Sequence, residues 1–125
     1  TWMEWFTSSV DRRSTAGEEP LLAAFDAIAE WASSPGYRGC AFINSAAETA
    51  EIDDTHRRII AAHKESLLTY LTSLAGDGGY AEPERLGRMV GVLLDGGMVE
   101  AAVLRSCEPI VAARDAAAVL IEASQ

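Results

Sequence analysis

An all-α fold follows from three features of this 125-residue chain. Alanine, the best helix former, supplies much of its 49% hydrophobic content. Apolar residues recur at three- and four-residue steps through long segments, while the four prolines fall between those segments. Val, Ile and Thr are scattered and build no alternating runs, so strands are not expected. The length suits one domain, residues 1–125.

Six helical segments are expected. The first covers about Thr1 to Arg12, with Trp2, Trp5, Phe6 and Val10 as its apolar stripe, and Ser14 to Gly17 read as a loop. The second covers about Glu19 to Ser33. Pro20 suits a first turn, the acidic pair before it suits the helix dipole, and Leu21, Leu22, Phe25, Ile28, Ala29 and Ala32 share a face. Ser33 to Gly36 stops it. A short third helix is expected over Cys40 to Glu48.

The fourth, about Asp53 to Ala75, has Asp53 or Asp54 as cap and buries Ile59, Ile60, His63, Leu67, Tyr70, Leu71 and Leu74. Gly76 to Gly79 closes it with residues that tolerate left-handed backbone. The fifth, about Glu82 to Ser106, has Pro83 in its first turn and is apolar around more than one stripe, so it needs cover on two sides. The sixth opens at Glu108-Pro109 and runs to about Ser124, with Ile110, Ala113, Ala117, Leu120 and Ile121 on one face.

The last two helices argue for association. At about 1.5 Å per residue the fifth is about 35 Å long, a rod that one small domain does not easily cover on both sides. Small residues such as Gly96, Gly97, Ala101, Ala102, Ala113 and Ala117 permit close helix approach. Paired with the same helices of a second copy they would build an isologous four-helix bundle. Leu94, Met98, Ala101, Leu104, Ile110, Ala113, Ala117, Leu120 and Ile121 are the expected homodimer interface. The alternative is that both stripes are the internal core of a monomer.

The formal net charge of −9, from ten Lys and Arg against nineteen Asp and Glu, leaves no basic stripe for phosphates. This chain alone is not expected to bind DNA. Cys40 and Cys107 form no CxxC and read as small buried hydrophobes, although Cys40 could sense oxidants beside Arg38. No uncharged apolar run is long enough to span a bilayer and no signal peptide is legible; the expected location is the cytoplasm, with no membrane partner.

No catalytic set emerges. His56 and His63 are spaced unusually for zinc ligands, although Glu48, Asp53 and Asp54 are near in sequence. Ser45 with His63 lacks a nucleophile elbow and an orienting acid, and Gly76 to Gly79 lacks the ending of a phosphate loop. No enzyme activity, metal or cofactor is expected. A pocket for a small apolar effector is the more plausible site, with Phe25, Phe42, Asn44, His63, Leu67, Met89 and Leu93 as candidates; for each of them plain core packing is the competing role. Asn44 is the distinctive member, because an amide in an apolar segment needs partners.

The run Gly36-Tyr37-Arg38-Gly39-Cys40-Ala41-Phe42-Ile43-Asn44-Ser45-Ala46-Ala47-Glu48 resembles a segment of TetR/AcrR-type transcriptional regulators. So do the order and spacing of Trp31-Ala32, the long His- and Arg-bearing helix, Pro83-Glu84, Leu93 to Gly97, and Pro109, Ala113, Arg114, Ala116 and Ala117. The resemblance covers nearly the whole chain and implies a C-terminal ligand-binding and dimerisation domain that dimerises through its last two helices. It implies a ligand-responsive regulator, a repressor in class, that reaches DNA only through a helix-turn-helix expected upstream of Thr1. Thr1 to Val10 would then end the helix linking the two domains, and the pocket would lie among the second to fifth helices. Two other readings compete: a helical dimerisation module without ligand, and a small helical metal-binding protein or enzyme.

Overall fold

The computed structural model describes residues 1–37 and 54–125. Those residues form five helices and no strand: α1 (Trp2–Thr15), α2 (Pro20–Ala32), α3 (Asp54–Asp77), α4 (Pro83–Leu104) and α5 (Glu108–Ala123). The all-α expectation holds. The expected short helix over Cys40 to Glu48 lies outside the described residues.

Local chemistry sets the helix ends. The Thr1 hydroxyl accepts from the Glu4 amide in a capping box that opens α1. Ser14 and Thr15, expected in a loop, continue this helix, and Ser14 Oγ donates back to the Val10 carbonyl at 2.8 Å. Gly17 takes the positive φ that turns the chain toward α2. Glu19 caps α2 by accepting from the Leu22 amide at 3.0 Å, with Pro20 in the first turn. Proline also opens α4 and α5.

α4 is the spine of the molecule. It packs along α3 on one flank and α5 on the other, with α2 across its inner side and α1 laid on α2. Leu86, Val90, Leu94, Met98 and Ala101 of α4 are buried against Leu67, Leu71 and Ala75 of α3 and Ile110, Ala113, Ala117 and Ile121 of α5. Leu21, Phe25 and Ile28 of α2, with Phe6 and Val10 of α1, complete this core. Gly97 lets α4 approach α5: a Cβ there would lie 3.3 Å from Ile110 Cα.

Polar links tie the helices at their rims. Arg114 of α5 grips Asp26 of α2 through two nitrogens, the shorter contact 2.9 Å. Lys64 of α3 pairs with Asp95 of α4 at 2.7 Å. Tyr80 donates to Glu19 at 3.0 Å, joining the α3–α4 turn to the start of α2. These pairs are partly exposed, so each contributes about 0.2–1 kcal/mol and fixes geometry more than it adds stability.

Candidate functional site

α4 and α5 run antiparallel and turn one side of their pair to solvent. Val92, Gly96, Val99 and Val103 follow one line along the outer side of α4; Ala112, Ala116, Val119 and Ala123 follow one along α5. Val92 is 66% exposed, Val103 75% and Val119 68%. Between the two lines lies an open groove of about 590 Å³, lined by Met89, Val92, Leu93, Ala116, Val119 and Leu120 with Arg88 at its edge. A contiguous apolar face of this kind marks an interaction surface more often than a chance scatter of valines.

Most of the residues expected at a homodimer interface lie inside the single chain. Leu94, Met98, Ala101, Ile110, Ala113, Ala117 and Ile121 are buried inside a single chain, at 8% exposure or less. They bind α4 to α5 and to the rest of the core. Leu104, at 62% exposure, and the half-buried Leu120 remain available at the face or its edge. The expected interface set mixes leucine, isoleucine, methionine and alanine positions, most of which face inward. The outward stripe is built of valines, alanines and a glycine, which one chain alone does not need to bury.

Among the described residues, the expected pocket members Phe25, His63, Leu67, Met89 and Leu93 do not line one cavity. Phe25 and Leu67 are buried in the core. Met89 and Leu93 line the outer groove beside α5. His63 is half-buried on α3, with the Trp2 ring edge-on at 5.3 Å. Phe42 and Asn44 lie outside the described residues. His56 is exposed, and among the described residues no three His, Cys, Asp or Glu side chains group as metal ligands.

An aromatic cluster joins α1, α2 and α3 around His63. Trp2 stacks on Phe6 at 4.9 Å, meets Trp31 at 5.8 Å, and Trp31 meets Tyr37 edge-on at 4.9 Å. Tyr37 Oη donates to the Met98 carbonyl at 3.1 Å, anchoring the cluster to α4. Burial pulls the His63 pKa below its ordinary value; Lys64 acts in the same direction and Asp95 against it. Trp2 Nε1 is buried and has no hydrogen-bond partner among the described residues. The roles of Trp31 and Tyr37 were not foreseen, although aromatic residues flanking a helix stop were a signal for them.

A cleft of about 790 Å³ opens where the end of α2 meets the α4–α5 turn, with Ser33, Tyr37, Val103, Arg105, Ser106 and Cys107 among its lining. The Cys107 thiol lies 3.3 Å from Ser33 Oγ and 3.8 Å from the Ala29 carbonyl. Ser33 Oγ already donates to that carbonyl at 2.9 Å, which leaves the thiol as donor at the α2 C-terminus. Cys107 is also the N-cap residue of α5, so this contact ties the end of α2 to the start of α5.

No helix among the described residues is long and apolar enough to cross a membrane. Comparison with protein-family models, curated proteins and solved structures finds no match to the chain.

Proposed function

We infer that this chain is the effector-binding and dimerisation domain of a ligand-responsive transcriptional regulator of the TetR/AcrR type, acting on DNA through a helix-turn-helix joined ahead of Thr1. The observation that carries this reading is the uncovered apolar face of α4 and α5. It lies on the two helices through which the resemblance implies dimerisation, and a second copy would bury it. The acidity of the chain accords with a half that senses and pairs but does not itself touch phosphates. An effector acts in such a domain by binding one arrangement of α1 against α3 more tightly than another, and the aromatic contacts of Trp2 and Phe6 with His63 and Tyr70 couple those helices.

Sedimentation equilibrium tests the dimer. A dimer is expected at micromolar concentrations, and Val92→Arg with Val119→Arg is expected to give a folded monomer; a monomeric wild type at high micromolar concentration refutes the pairing. Thermal unfolding against a panel of apolar small molecules tests the effector. A ligand at one hundred times its Kd stabilises the fold by about 2.7 kcal/mol, a readily measured shift. The scatter of the expected pocket residues among the described ones favours a second reading, a dimerisation module without ligand; a dimer that no compound stabilises supports it.

A further inference from the structure

The outer face of α4 and α5 carries charge in a pattern that selects which helix meets which. At about 100° per residue, Arg85 and Arg88 fall on the same outward stripe of α4 as Val92, Gly96, Val99 and Val103. On α5, Glu108, Asp115 and Glu122 recur every seven residues along the stripe of Ala112 and Val119. All five charged residues are exposed, and among the described residues none of them makes an ion pair. The face therefore presents a basic end on α4 and an acidic row along the whole of α5.

We propose that in the dimer α4 of one copy packs on α5 of the other, with Arg85 and Arg88 set against the acidic row of Glu108, Asp115 and Glu122. This rests on the dimer reading above and specifies its pairing. A second copy fits because the face is self-complementary: each copy supplies both the basic end and the acidic row, so a two-fold axis makes each contact twice. Packing α5 on the partner's α5 sets acid against acid in either direction, because the row spans the helix. Parallel packing of α4 on the partner's α4 sets arginine against arginine. Only the crossed pairing brings opposite signs together while covering the valines of both helices. Rim charges of this kind act mainly through orientation and partner choice, with the apolar seam supplying the affinity.

Two charge-reversed chains test the pairing. Arg85→Glu with Arg88→Glu is expected to weaken the homodimer about tenfold or more, and Asp115→Lys with Glu122→Lys to do the same. Mixed together, the two chains are expected to form a heterodimer close to wild type in affinity, because both crossed contacts then carry opposite charges. The wild-type dimer is expected to weaken with added salt. Circular dichroism checks that each variant folds; if a reversed chain fails to fold, Arg85→Gln with Arg88→Gln takes its place, expected to weaken the dimer and flatten its salt dependence. A wild-type dimer that arginine reversal leaves unchanged or tightens overturns the crossed pairing alone. A monomeric wild type overturns the dimer reading and this inference with it.

Discussion

Gly87 of α4 lies so close to Thr72 of α3 that a Cβ on it would sit 2.9 Å from the Thr72 amide nitrogen and 3.0 Å from its Cα. The obstacle is backbone, so no rotamer change relieves it. Gly87→Ala is expected to destabilise the fold by about 1–3 kcal/mol through overpacking, outweighing the gain of about 1 kcal/mol that alanine brings to a helix interior. Gly91, one turn on, faces only the tip of Leu71 at 3.5 Å. Gly91→Ala is expected to be neutral or to stabilise by up to about 1 kcal/mol. Urea unfolding of both variants checks the contrast; equal midpoints would show that α3 and α4 separate at little cost.

Ser9 presents a different fault in packing. It is 1% exposed on the inner side of α1, and its hydroxyl has no hydrogen-bond partner among the described residues. The cost of an unpaired buried hydroxyl is about 1–3 kcal/mol, against a small loss of contact when the oxygen is removed. Ser9→Ala is therefore expected to stabilise the domain by about 1 kcal/mol and to raise its Tm by a few degrees. A lowered Tm would mean that the hydroxyl has a partner, such as a buried water, in solution.

Much of this fold was legible because its punctuation is local. Pro20, Pro83 and Pro109 place three helix starts, and Gly17 and Gly79 take the positive φ that their turns require. The orientation of α4 was not legible, for a physical reason. Leu94 and Met98 point into the core while Val92 and Val99 point out, yet all four are apolar, and only the positions of α3 and α5 decide between them. The extension of α1 through Ser14 was hidden too, since a serine that bonds back to Val10 remains helical where composition suggests a loop. The placement of the expected pocket residues was the least legible part. His63 and Leu67 share a helix face by spacing, but one meets the Trp2 ring and the other the closed core.

Arg105 ends α4 in the left-handed conformation, with φ 51° and ψ 49°, and its amide bonds to the Ala101 carbonyl. Glycine adopts this backbone without the Cβ clash that costs other residues about 1–2 kcal/mol. Arg105→Gly is expected to stabilise the α4–α5 turn by up to about 1 kcal/mol, and Arg105→Val, β-branched, to destabilise it by at least that much. Chemical denaturation of the pair gives the sign directly. Identical stabilities for the glycine and valine forms would contradict a left-handed residue at 105.

His63 makes the stability of the bundle depend on pH. Its pKa is lowered in the fold, chiefly by burial and next by Lys64, with Asp95 partly opposing. A histidine with a lowered folded pKa binds fewer protons folded than unfolded between the two values. Its neutral form therefore supports the fold fully above the ordinary histidine value of about 6.5. That support declines as pH falls through this value and levels off below the folded pKa. Carboxylates titrate at lower pH, so the informative quantity is the difference between wild type and His63→Gln. The wild-type Tm is expected to fall more steeply than the variant's from about pH 7 to pH 5.5. Parallel curves for wild type and His63→Gln, or a His63 proton resonance titrating at or above the ordinary value, would remove burial against Trp2 as the cause.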